Sequence, residues 1–364
     1  MTSTTQMERR SFLQLVGIAT SVTAVGGALA ACGPASSPSG GGNKSLQINS
    51  FGGSFQSNVQ KTVISPFQTK YGVTVDVTTA LGSAALTRLK SSPKNKPAFD
   101  VAFMDLAPIL QAKAAGLLQK IDPSKLSNLS NLYPLAVDKN GFWIAELVAM
   151  SGIAYNTEKV KTPPTSWQDL WDPKYAGHVA ISDISGTIGY QFLVEAARLN
   201  GGSETNIDPG FAALKKLKPN IVSMYKTPAE AVQLLTSGEA WLGPAYSDRI
   251  SAAKKEGAPV AFVQPKEGAI AVLSCMCIPN GTASLDPAHK FIDFMISTPI
   301  NQSFVTANGE GPTNSKVVLS DNFLNENYVA YGKKVIDSLV ALDYEEISRQ
   351  IGGWTTRWAS EIAG

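Results

Sequence analysis

Histidine is nearly absent from this 364-residue chain: it has two, His178 and His289, far apart in sequence. A hydrolase or a metal centre built on paired histidines is therefore poorly supplied. Neither a G-x-S-x-G elbow nor an H-E-x-x-H motif occurs. Charge is also thin. Charged residues make up 16% of the chain, and 31 basic against 29 acidic residues leave a formal net charge of +2. A nucleic-acid binder needs clustered basic residues, so nothing here points to one. Cysteine is limited to Cys32, Cys275 and Cys277. The last two form a C-x-C inside the apolar run VLSCMC. On a strand they would share a face about two rises apart, where a disulfide would be strained. No histidine lies near enough in sequence to complete a zinc site. Both read as small buried hydrophobes.

What the chain does have begins at its start. Arg9-Arg10 is followed by Ser11-Phe12-Leu13, and then by an apolar, small-residue run that ends Leu29-Ala30-Ala31-Cys32. This resembles a twin-arginine export signal closed by a lipoprotein cleavage box. The expectation is a signal over residues 1–31, with the Cys32 thiol as an acylated lipid anchor. A flexible linker over residues 32–44, rich in Gly, Ser and Pro, would follow. The plainer alternative is a soluble helix with an incidental cysteine. Against it, the twin arginines, the run and the box occur together and in order. A retained membrane helix is weaker still, because Gly26-Gly27 and the box would sit inside it. The rest of the chain would then work on the outer side of the cytoplasmic membrane, in the periplasm or at the cell surface. It is long enough for two lobes.

Alternation and spacing give the order of elements. Leu46–Ser50 reads as a strand, and Phe55, Val59, Val63 and Phe67 mark one face of a helix that ends near Gly72. Strands follow at Val73–Thr78 and Asp100–Met104, and helices at Ser83–Leu89 and Ile109–Ala115. Strand alternating with helix predicts an α/β lobe. Phe142–Asn156 is a long extended stretch suited to crossing between lobes, and Ala269–Ile278 is its natural return. Between them lie strands near His178–Ser182, Trp241–Ala245 and Pro259–Val263. The helices there start at Ser166, Thr187, Phe211, Pro228 and Ser247. After the return come helices at Pro287–Ile296 and Ile300–Ala307. The tail is expected to hold helices over about Asn325–Leu342 and Glu345–Ile362, bracing lobe one.

Four stretches carry a resemblance: Thr165–Gly177 (TSWQDLWDPKYAG), Gly238–Ala245 (GEAWLGPA), Pro265–Ala269 (PKEGA) and Ile278-Pro279. With them the chain resembles the extracellular solute-binding proteins of bacterial ABC importers, in the branch that includes spermidine- and putrescine-binding proteins. The resemblance implies an α/β fold of the two-lobed periplasmic-binding-protein type (type II), with a cleft between lobes joined by two crossover segments. Lobe one would be residues 45–148 and 273–364, including the C-terminal helices, and lobe two residues 149–272. It further implies a non-enzymatic monomer without cofactor or metal. Such a protein captures a small molecule by hinge closure and delivers it to a membrane permease.

Clefts in such folds open at the carboxyl ends of strands. That rule selects Phe51, Ser54 and Phe55 after the first strand, with Gly52-Gly53 allowing close backbone approach. It selects Asp105 after an apolar strand, where helix capping is the competing role. It selects Asp183, Ser185 and Thr187 in a loop where amine-binding relatives tend to place more carboxylates. Ser185 and Thr187 at a helix start would also suit an anion. The rule selects Tyr246 and Asp248; Asp248 matches a family aspartate that pairs with an amine, and could equally cap the helix there. Ser274 on the return crossover and Tyr225 complete the set. Glu146 and Glu310, near the hinge segments, read as solvated or structural charges. A buried ammonium needs carboxylates or aromatic faces. A small amine therefore ranks first as ligand, either a polyamine such as spermidine or putrescine or a GABA-like zwitterion. A phosphonate, carboxylate or other small organic ligand ranks second. The rival of a different class is an exported hydrolase.

Overall fold

A computed structural model describes residues 45–364. The expected twin-arginine signal, Cys32 and the expected linker lie outside the described residues. No helix among the described residues is long and apolar enough to cross a membrane.

Eleven strands build the sheets among these residues: β1 (Ser45–Ser50), β2 (Thr74–Thr79), β3 (Ala102–Asp105), β4 (Leu118–Gln119), β5 (Trp143–Asn156), β6 (Val179–Ser182), β7 (Ile221–Tyr225), β8 (Leu242–Tyr246), β9 (Val260–Val263), β10 (Ile270–Pro279) and β11 (Gly311–Pro312). β1 and β2 pair in parallel as a small sheet. Asn49 stitches that sheet to β3. Its buried amide donates to Ala80 O at 3.0 Å and to Phe103 O at 2.8 Å, and it accepts from Phe103 N at 2.7 Å. The carboxyl ends of β1, β2 and β3 therefore share one edge.

β5 and β10 are the two crossovers. The far half of β10, Ser274–Cys277, pairs with β3 on the lobe-one side. Its near half, from Ile270, runs antiparallel to Val148–Ser151 of β5. Beyond Ser151, β5 pairs with β8 and β9, and β8 leads through parallel β6 to β7. Both crossovers are buried along almost their whole length. Their near-continuous apolar sequence follows from being covered on both faces. Cys275 and Cys277 are free and fully buried there, as read from the sequence.

The tryptophan-rich motif packs lobe two. Ser166 caps a short 3-10 helix, Trp167–Trp171, in a capping box with Asp169, and the Ser166 hydroxyl also donates to Glu267. Trp167 is fully buried, donating its Nε1 proton to Gly268 O at 2.9 Å, while Trp171 donates to Ala213 O at 2.8 Å. Both indoles pack on Phe192, with ring centroids 5.8 and 5.7 Å away. Ser166→Ala removes the cap and leaves Glu267 without its hydroxyl donor. It is expected to cost about 1–2 kcal/mol, read as a lower urea midpoint at unchanged slope.

Two expectations change. β7 was not foreseen; it follows Pro219-Asn220 and pairs in parallel with β6. The helix expected over 325–342 is instead two short helices, Asp321–Glu326 and Lys333–Asp337, with extended chain between. Asn327 stops the first by donating to Phe323 O at 2.8 Å while accepting from Lys255 at 2.7 Å. Gly332 at φ +80° interrupts further, and Val340 then bridges Ile270 of β10. The last helix, Tyr344–Glu361, does form, and its contacts reach elements far apart in the sequence. Glu345 pairs with Lys113 at 2.7 Å, whereas Arg357 pairs with Asp208 at 2.7 Å and covers the Phe211 ring.

Candidate functional site

The edge where β1, β2 and β3 end presents Phe51, Leu81 and Asp105. Gly52 takes φ +82°, and a Cβ there would meet the Thr79 side chain at 2.9 Å, so the turn after β1 needs glycine. Ser54 is exposed in the first turn of the helix Gly53–Val59. Phe51 packs edge-on against Phe55, and Phe55 turns on toward Phe103 and Phe304 in the core of lobe one. Leu81, just after β2 and before the helix Gly82–Ser91, is an exposed apolar side chain, 61% accessible.

Asp105 is the centre of the site. Its side chain is open to solvent, yet protein crowds it closely enough that burial pushes its pKa up to about 6. A group at the foot of a cleft meets both conditions. Its charge reaches Tyr190, Tyr246 and Tyr344, helping burial to raise each phenol. Tyr246 closes β8 in lobe two and is half-buried. Tyr190 and Tyr344 are buried, with rings edge-on and centroids 6.5 Å apart. Thr187, at the start of the helix Thr187–Arg198, lies near both phenols and lowers each against the effect of burial. Tyr344 accepts from Gln191 at 2.7 Å and donates to Ala271 O at 3.4 Å. One carboxylate thus lies within electrostatic reach of three phenols drawn from three separate elements.

Behind Asp105 lies a second carboxyl. Ser274, in register opposite Asp105, donates its hydroxyl to Glu146. Glu146 is fully buried, and its pKa is pushed up to about 8 by burial and by Asp105, against the Ser274 hydrogen bond.

The remaining candidates sit differently. Asp183 closes a tight turn on Ser185, accepting from its amide at 3.0 Å and its hydroxyl at 2.5 Å. Burial pushes Asp183 up, but Ser185 and then Lys226 hold it below the usual carboxylate range. Tyr225 is 2% exposed and spends its hydroxyl on Pro244 O at 2.6 Å, which ties β7 to β8. Asp248, in the first turn of the helix Ser247–Lys255, lies 3.2 Å from Arg249 Nε and shares a hydrogen bond with buried Glu310. Burial, and then Asp248, push Glu310 well up. The structure therefore gathers Asp105, Thr187, Tyr246 and Ser274, adds Tyr190, Tyr344 and Glu146, and leaves Asp183, Tyr225 and Asp248 with partners of their own.

Neither histidine stands beside this cluster. His289 accepts from Asp122 N at 2.9 Å, and its Nδ1 lies 2.8 Å from Leu285 O. His178 stacks on Trp241 with ring centroids 3.7 Å apart. Among the described residues, no group of three or more His, Cys, Asp or Glu could hold a metal ion. A cavity of about 430 Å³ lies apart from the strand ends, lined in part by Tyr133, Ser315, Tyr331 and Lys333.

Residues 62–329 match the family described as bacterial extracellular solute-binding protein. The spermidine/putrescine-binding periplasmic protein 1 of Haemophilus influenzae is 30% identical over 210 residues, 55% of this chain and 57% of that protein. The match thus spans less than two thirds of that relative's length. The gamma-aminobutyric acid-binding protein of Pseudomonas aeruginosa is 25% identical over 86% of this chain and 92% of that protein. Among solved structures, an ABC transporter structure from Clostridium perfringens superposes with a TM-score of 0.79 at 25% identity. That likeness covers 87% of this chain and 99% of the other. The two-lobed α/β fold expected from the sequence is borne out.

Proposed function

The chain belongs to the bacterial extracellular solute-binding proteins, and from that premise we propose that it captures a small amine in the cleft between its lobes. It then delivers the amine to a membrane permease of an ABC importer, working as an exported lipoprotein held by Cys32. The observation that carries the ligand class is Asp105 within electrostatic reach of Tyr190, Tyr246 and Tyr344. A carboxylate among aromatic rings suits an ammonium, because each ring face is negative and desolvation strengthens the attraction.

The number of available acids narrows the class. Asp105 serves one ammonium. A second ammonium, as in putrescine or spermidine, needs a second acid, and Asp248 is already shared between Arg249 and Glu310. A GABA-like zwitterion needs one acid only. The anion reading loses ground because the Ser185 hydroxyl is held by Asp183.

A thermal-shift screen with putrescine, spermidine, GABA, 2-aminoethylphosphonate and succinate tests this. An amine present at about 100 times its Kd is expected to add about 2.7 kcal/mol of stability. Stabilisation by succinate alone, with no response to any amine, would sink the reading.

A further inference from the structure

We propose that Glu146, behind Asp105, holds a proton while the cleft is empty and releases it to solvent when a cation settles against Asp105. The proposal rests on the amine reading above. Glu146 lies on β5 where that crossover is fully buried, and its Oε2 has no hydrogen-bond partner. Its Oε1 accepts from Ser274, which is the register partner of Asp105 across β10 and β3. Directly opposed residues have Cβ atoms about 4.5–5.5 Å apart. A short path of charge therefore runs from the cleft floor through the crossover to Glu146.

The groups facing Glu146 are all neutral or acidic. β3 contributes Asp105, and β10 contributes Ser274, Cys275 and Cys277, both thiols being raised in part by Glu146. From the helix Thr298–Asn308, Asn301 donates to the Glu146 backbone carbonyl at 2.7 Å. An ionised Glu146 would thus face a second negative charge, with the Ser274 hydroxyl and its own backbone N–H to support it. A cation on Asp105 reverses that balance. It neutralises the repelling charge and adds an attraction of its own, so the proton affinity of Glu146 falls. Asp105 supplies few protons near neutrality, because its pKa of about 6 leaves it mostly ionised there.

The test is calorimetric titration of the full chain with putrescine and with GABA at pH 7.5. Running it in phosphate and in Tris, which differ in ionisation enthalpy, counts the protons exchanged. About half a proton or more should be released per ligand bound, against less than about a tenth if Asp105 alone titrated. Glu146→Gln should bind within about tenfold of the parent while its proton release falls to the Asp105 level. The unmodified chain also decides the matter by itself. Release should peak between about pH 7 and 8; a peak near pH 5–6, or no release on binding, overturns the proposal. Failure of both probes to bind would instead overturn the amine reading, and this proposal with it.

Discussion

Asp105→Asn is expected to weaken amine binding by about 3 kcal/mol, roughly 150-fold, and at the same time to raise the melting temperature of the empty chain. The two effects have opposite signs because they come from the same charge. In the cleft, the carboxylate is the charged partner that no other candidate replaces. Asp183 is turned onto Ser185, and Asp248 is shared with Arg249 and Glu310. Without a ligand, that charge is held where burial disfavours it, with its pKa raised from 3.8 to about 6. The unfolded chain ionises Asp105 freely above its ordinary pKa. The folded chain pays a penalty for doing so, and asparagine removes that penalty at neutral pH. Calorimetry gives the affinity, and differential scanning without ligand gives the stability. Unchanged affinity would remove Asp105 from the site. Lost affinity with a lowered melting temperature would make its role structural. Asp248→Asn is the control, and its affinity should stay within about threefold of the parent.

The sequence made the frame of this site readable and left half of its content hidden. Asp105 and Tyr246 could be found because each directly follows an apolar strand, and strand ends are where such clefts form. Ser166 and the two tryptophans after it could be found because a cap followed by aromatics at i,i+4 has few other readings. Tyr190 could not, since it lies in a helix whose residues from Ile188 to Ala197 are all buried. In such a helix a tyrosine reads as core. Tyr344 reaches the cluster from the last helix, joined by long-range contacts to Gln191 and Ala271 that leave no local trace. Glu146 sits in a fourteen-residue strand buried almost throughout, where an acid reads as an exception without a reason. Asn49 is equally silent, because its three backbone hydrogen bonds depend on how three strands meet. The tail misled by composition. Residues 325–342 tolerate a helix locally, but Asn327, Gly332 and the Val340 bridge divide it.

The buried acids also set how stability depends on pH. The chain is expected to be most stable near pH 5 and to lose stability as the pH rises toward 8. Burial holds Glu146 at about 8 and Glu195 at about 7, and it raises Glu310 well above the ordinary range. Across that window the folded chain keeps protons that the unfolded chain has released, so each upward step in pH favours unfolding. For Glu146 alone, a shift from 4.5 to about 8 corresponds to a loss on the order of 3–5 kcal/mol. The acid side is set by groups shifted the other way. Glu361 is held at about 2 by Arg357 and Lys215, and Asp122 and Glu346 are lowered by their hydrogen bonds. What these groups contribute is lost as the pH falls below the ordinary carboxylate range. Urea unfolding at intervals from pH 4 to 9 measures the profile. Glu146→Gln should flatten its descending limb more than any other single change, and a limb that stays level or rises between pH 5 and 8 would refute the argument. Saturating amine should flatten the same limb in the unmodified chain, because a cation on Asp105 lets Glu146 ionise within the fold and removes the difference from the unfolded state.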